Sequence, residues 1–210
     1  MQARAEATRQ RILDAAVELF SELGYGETGL ADVLQRAGVS KGAFYYHFSS
    51  KESLASAIIE DYRRRVASML QNDLDPSASP LEQLIAASFA SAAILRTDKT
   101  ARIGNELLQA LSQISNTATQ TYAEWTAQFV DGFTRAIGET ELAAHPNAAK
   151  MAQGVWAGVL GSHLLSAALD DDPFERLANT WRAMLSAISP TKLDEILDRV
   201  TQRYQTVDVS

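Results

Sequence analysis

One stretch constrains the fold of this chain more than any other: Ala37-Gly38-Val39-Ser40-Lys41-Gly42-Ala43-Phe44-Tyr45-Tyr46-His47-Phe48. Gly38 can take the left-handed conformation that ends a helix. Val39 is placed to plug the angle between two helices, and Ser40 is a good N-cap for the second. In that second helix Phe44 and Phe48 stand four apart and turn inward, while Lys41, Tyr45 and His47 face out. Helix, tight turn and helix, with cations and aromatics outside, are the parts of a helix-turn-helix, whose second helix enters the major groove of DNA.

The flanks agree. From Thr8, Ile12, Ala15, Ala16, Leu19 and Phe20 recur at helical spacing, and Gly24 and Gly26 stop the run. Thr28 and Gly29 then lead into Leu30, Val33, Leu34 and Ala37, which predict a second helix with one apolar face. Ser49 and Glu52 read as a capping box for a long helix from Ser50 to about Leu70, with Leu54, Ile58, Ile59 and Met69 inside.

Residues 73–80, turn-rich and holding two prolines, end that helix. Helical segments are expected at about 81–96, 101–112, 118–138, 147–169, 173–188 and 190–204, with Pro80, Pro173 and Pro190 at or just before three starts. Gly138 closes one helix and His145-Pro146-Asn147 opens the next. No strand alternation or repeat appears. Met151–Leu169 is apolar nearly all round, with Gly154, Gly158 and Gly161, so it needs cover on more than one side. With Phe174, Leu177, Trp181, Met184, Leu185 and Ile188 it suits either the core of one protomer or half of a four-helix dimer interface carried by Trp156, Leu160, Leu164, Trp181 and Leu185.

Charge alone argues against a polyanion partner, since 19 Lys/Arg face 26 Asp/Glu for a net of −7. The charge is unevenly spread. Residues 1–51 hold six of each sign, so they are neutral, and the other 13 basic and 20 acidic groups carry the whole −7. A relatively positive N-terminal part on an acidic body would orient the protein on DNA without tight nonspecific binding. The absence of cysteine leaves neither disulfides nor thiolate metal sites. Without a visible signal peptide or an apolar run of ~18 residues, a cytoplasmic protein with no membrane contact is expected. No Gly-rich phosphate loop, nucleophile elbow or His/Glu metal motif appears. His47, His145 and His163 are scattered, and His163 among apolar neighbours reads as a core residue. No catalytic residue, metal or cofactor is therefore expected, and the chain is not read as an enzyme.

From Thr8 to Leu54 the chain resembles the TetR family of transcriptional regulators. The matching pieces are Thr8-x-x-x-Ile-Leu-x-Ala-Ala, Leu19-Phe20, Gly24-Tyr25, Thr28, Ala37-Gly38-Val39-Ser40-Lys41-Gly42, Tyr45-Tyr46-His47-Phe48 and Lys51-Glu52-x-Leu54. The resemblance implies an all-α homodimer: a three-helix helix-turn-helix domain (1–52) that binds a palindromic operator, and a helical effector-binding and dimerisation domain (53–210). Gly29 stands where the family often has Ser or Thr, and Leu34 where a small Ala is common. In this frame Tyr45, His47 and Lys51 suit phosphate contacts, and Lys41 suits guanine O6 and N7. Gly42 and Ala43 allow close approach to the groove. Ser40, Tyr46 and Thr28 complete the expected DNA-binding set.

A narrower resemblance rests on Arg102-Ile-Gly-Asn-Glu-Leu-Leu, Tyr122-Ala-Glu-Trp125 and Ala136-Ile-Gly-Glu139. These are similar to receptors for γ-butyrolactones and related furan or butenolide signals, where a Trp matching Trp125 lines the ligand pocket. An indole N–H can meet a ligand oxygen while its face packs an acyl tail. Gln109 and Thr121 are further expected pocket polars. The resemblance implies a repressor released from its operator by a small hydrophobic effector. The second reading is a regulator of efflux or lipid metabolism that senses drugs or acyl thioesters.

Overall fold

Prolines and cap residues punctuate the chain close to where the sequence places them. The structure, a computed structural model, describes residues 2–138, 148–185 and 190–205. Among these are ten helices and no strand: α1 Gln2–Leu23, α2 Leu30–Ala37, α3 Lys41–His47, α4 Lys51–Asp73, α5 Pro80–Thr97, α6 Lys99–Ala110, α7 Asn116–Gly138, α8 Ala148–Leu169, α9 Pro173–Leu185 and α10 Pro190–Gln205. The expected all-helical class holds. His145-Pro146-Asn147, Glu139 and Ile188 lie outside the described residues.

Several expected boundaries shift, two of them in the N-terminal part. The first helix starts at Gln2 rather than Thr8, and the Thr8 hydroxyl donates to the Arg4 carbonyl within it. The box that opens α4 is Ser50 with Ser53, not Ser49 with Glu52. The Ser50 N–H donates to Ser53 Oγ at 3.0 Å and the Ser53 N–H to Ser50 Oγ at 3.1 Å. A serine at the third helical position can close the box as Glu or Gln does, which moves the helix start by one residue.

The chain packs as two compact units, and α4 and α7 contribute to both. The first unit comprises residues 1–65 and 98–121. In it α1 packs against α2, α3 and α6, burying Ile12, Ala16, Phe20, Val33, Phe44, Leu54 and Leu108. Lys99 donates to Glu18, tying α6 to α1, and Arg65 bridges Asp61 to Asp98, the N-cap of α6. Burial would push the Asp61 carboxyl up, but hydrogen bonds and charge from Arg65 and Arg64 hold it below its ordinary value.

The second unit comprises 66–97 and 122–210. Here α9 packs on α8, α5 and α10 around Phe89, Phe133, Val155, Val159, Phe174, Trp181 and Leu197. The Phe89 and Phe174 rings stack 5.9 Å apart.

Candidate nucleic-acid interface and effector region

The turn between α2 and α3 forms as its residues dictate. Gly38 sits at φ +61°, and its N–H reaches the Gln35 carbonyl as α2 ends. Ser40 caps α3 by accepting the Ala43 N–H at 3.2 Å. Phe44 is wholly buried and Phe48 nearly so, with their rings 5.7 Å apart. Those two anchors orient the rest of α3. Lys41 and Gly42 are exposed, Tyr45 is 49% exposed and Tyr46 78%. His47 is half-buried, with its ring edge-on to Tyr46 at 4.9 Å. Ala43 is half-buried behind them. A methyl added at Gly42 would touch nothing in the chain. Glycine inside a helix costs about 1 kcal/mol against alanine, so the protomer's own packing gives no reason for one here.

α2 starts without a side-chain cap from its N-cap residue. Gly29 has no hydroxyl to give, and only half of the box remains, the Gly29 N–H donating to the Asp32 carboxylate at 3.0 Å. Leu34 is half-buried on α2.

Two residues of the expected DNA-binding set face inward. Thr28 is 1% exposed, and its hydroxyl donates to the Gly24 carbonyl at 2.8 Å. That side chain reaches no outside partner, because it is buried with its hydroxyl turned to the backbone of its own unit. Lys51, the first residue of α4, donates its Nζ to the carbonyls of Tyr25 (2.8 Å) and Thr28 (2.9 Å). It also lies 4.3 Å from the centre of the Tyr25 ring. Proximity in sequence to a basic, aromatic helix does not reveal that these polar groups are already engaged.

The residues expected around an effector are divided between the units. In the first unit Gln109 is half-buried near the end of α6, and Thr121 is fully buried with its hydroxyl on the Thr117 carbonyl at 2.8 Å. In the second, Trp125 is half-buried on the same α7 stripe as buried Phe129 and Phe133. A cleft of about 690 Å³ runs along the neighbouring face of α7 between Tyr122 and Thr134, bounded on α8 by Gln153. Trp125 does not line it. Burial raises the Tyr122 phenol above its ordinary pKa, so it stays an O–H donor at neutral pH.

Of the expected interface residues, Trp181 and Leu185 present no surface to a second copy. Both are 0% exposed, consumed by the core of their own unit. The Trp181 indole N–H donates to Ser88 Oγ at 3.0 Å. Trp156 is half-buried, donating to Thr126 Oγ1 at 2.9 Å and stacking on Phe129 at 4.9 Å. Leu160 is half-buried, and Leu164 is 53% exposed. Sequence reasoning misses both hydroxyl partners, Ser88 and Thr126. The signal for Ser88 is a lone hydroxyl within the apolar run Ile85-Ala-Ala-Ser-Phe-Ala90. Among the described residues no group of three His, Asp or Glu side chains could hold a metal, and no helix is long and apolar enough to cross a membrane.

Comparison with known proteins agrees with this geometry. Residues 12–58 match the family of bacterial regulatory proteins, tetR family. The A-factor receptor protein of Streptomyces griseus is 38% identical over 106 residues, which is 50% of this chain and 36% of that protein. The chain thus matches about a third of that relative's length. A solved gamma-butyrolactone receptor (ArpA-like protein) superposes with a TM-score of 0.76 at 26% identity, covering 95% of this chain and 99% of that one. CprB from Streptomyces coelicolor, a TetR family protein solved in complex with its operator sequence, gives 0.70 at 25% identity, covering 96% and 98%. With the helix-turn-helix formed at its N-terminus, this chain belongs to the TetR family and is a transcriptional regulator.

Proposed function

We propose that this regulator is a homodimeric repressor acting on cytoplasmic DNA, that α3 of each protomer reads one half of a palindromic operator, and that a small hydrophobic effector of the γ-butyrolactone, furan or butenolide class releases it. The observation that carries the reading is the outer face of α3. Lys41, Gly42, Tyr45 and Tyr46 stand exposed around a locked Phe44, which presents donors to phosphates and one flexible cation to base edges. Ser40, Ala43 and His47 support that face. Within residues 1–52, Gly42 leaves room for the groove wall.

Dimerisation is supported by α8. Gly154, Ala157, Gly161, Leu164 and Ala168 recur at spacings of three and four, and Leu165 stands beside them. Leu164 and Leu165 are 53% and 46% exposed, and a methyl on Gly154 or Gly161 would touch nothing in the protomer. An apolar stripe of small residues with that spacing suits close packing against the same helix of a second copy. Leu164 and Leu160 thus stay in the proposed interface with Trp156 at its edge, and Trp181 and Leu185 support it from within.

The effector class rests on the similarity to the A-factor receptor and the solved gamma-butyrolactone receptor. Trp125, in the second unit, is its proposed contact, whereas Thr121 is buried with its hydroxyl on the Thr117 carbonyl and is not offered to a ligand. α4 runs from Lys51, next to the helix-turn-helix, to Asp73. It is our candidate for passing effector binding on to α3, provided that the effector binds the released state more tightly. Selection of duplexes by the full chain from a random library tests the DNA reading, and a two-fold symmetric consensus is expected. Adding a 2-acyl-γ-butyrolactone to that complex should release the duplex. A consensus without symmetry would overturn the dimeric operator, and unchanged affinity at saturating lactone would overturn the effector class.

A further inference from the structure

Lys51 stands where a phosphate contact is expected, but its ammonium is turned toward the protein. Two of its three N–H donors go to the Tyr25 and Thr28 carbonyls, and the Tyr25 ring lies against it. These acceptors belong to the loop of residues 24–29 that joins α1 to α2. The rest of that loop is held from the other side. Gly24, at φ +82°, donates its N–H to the Phe20 carbonyl, and the Thr28 hydroxyl returns to the Gly24 carbonyl. The Tyr25 ring meets Phe20 edge-on at 5.3 Å. Thr28 lies two residues before Leu30, where α2 begins, and α2 leads through the Gly38 turn to α3. One side chain therefore fastens the first residue of α4 to the start of the helix that supports α3.

We infer that Lys51 is a positioning residue that clamps the α1–α2 loop onto the N-terminal end of α4, and that it serves DNA binding through this clamp instead of by neutralising a phosphate. The inference rests on the reading of α3 as the DNA-binding helix. An ammonium turned onto two carbonyls at 2.8 and 2.9 Å makes no close ion pair with a phosphate, so it displaces few of the counterions condensed on DNA. The clamp also gives α4 a hold on the loop that leads into α2, so a displacement at the start of α4 would be passed to the helix-turn-helix.

The salt dependence of binding separates the two roles. For Lys51→Met, affinity of the full chain for the library-selected duplex should fall about tenfold, with an unchanged slope of log K against log salt. Loss of a phosphate contact would instead reduce the slope by about 0.9. Amide hydrogen exchange without DNA should show residues 25–29 exchanging faster in the variant, while those of the α5 core around Phe89 keep their rates. Thr28→Val, which loosens the same loop and keeps every charge, should also weaken binding without changing the slope. A slope reduced by about 0.9 in Lys51→Met, unchanged loop exchange, or full affinity in Thr28→Val would each overturn the inference. If no duplex is enriched by the wild type, the DNA reading fails, and the exchange measurement still decides whether Lys51 holds the loop.

Discussion

Gly104 on α6 lies directly against Tyr62 on α4: a Cβ built on the glycine would stand 2.5 Å from the Tyr62 Cβ and 3.2 Å from the Ile58 carbonyl oxygen. Tyr62 is 2% exposed and cannot swing aside. The two helices therefore approach as closely as they do because residue 104 has no side chain. In an open helix Gly→Ala stabilises by up to about 1 kcal/mol. Here Gly104→Ala should destabilise by about 1–3 kcal/mol, the cost of overpacking a core. Urea denaturation gives the sign, and a stabilised variant would show that the contact yields.

Ser88 and Trp181 form a second such dependence. The indole N–H of fully buried Trp181 ends on Ser88 Oγ, whose own proton goes to the Ile85 carbonyl. Ser88→Ala removes that acceptor and leaves a buried donor unsatisfied. A loss of about 1–3 kcal/mol is expected. Ser88→Thr, which keeps the hydroxyl, should cost less. Equal losses would point to packing and not to the hydrogen bond.

His163 gives a stability profile with a defined window. Burial lowers its pKa to about 4 against an ordinary value of 6.5, opposed only by a hydrogen bond to the Ser88 backbone. Its Nε2 is buried without a partner. Above pH 6.5 the ring is neutral in both the folded and the unfolded chain. Below that pH the unfolded chain takes up a proton and the folded one does not until about 4, so stability falls across this window as pH drops. The loss reaches up to about 3 kcal/mol. Denaturation at several pH values should show this slope in the wild type, and His163→Gln should lack that component. Identical profiles would refute the buried-histidine contribution.

Lys41 and Tyr45 should fail differently on DNA. Tyr45→Ala removes the donor proposed to meet the sugar–phosphate backbone and should weaken all operator variants alike. Lys41→Ala should relax preference at one base position by about 1–3 kcal/mol. Titration against a panel of single-base operator variants distinguishes them. A uniform loss for Lys41→Ala would remove its base-reading role.

Much of this protein was legible from local chemistry. Gly38, Ser40, Phe44 and Phe48 dictate a turn and a short helix through backbone freedom, capping and spacing, all of which act within a few residues. Prolines and polar breaks located the later helices for the same reason. What the sequence left open was the direction of side chains whose partners lie far along the chain. Lys51 reaches back 26 residues to Tyr25, Trp181 reaches 93 residues to Ser88, and Gly104 meets Tyr62. Periodicity marks a residue as inward or outward on its own helix, but not which helix receives it. Trp181 and Leu185 therefore read as interface until the packing of α5, α8, α9 and α10 closed over them. The sequence by itself determined an all-helical chain that opens with a helix-turn-helix. Only the tertiary structure decided which polar groups remain free to meet a partner, because hydrogen bonds and burial between distant segments consume some of them and leave the others exposed.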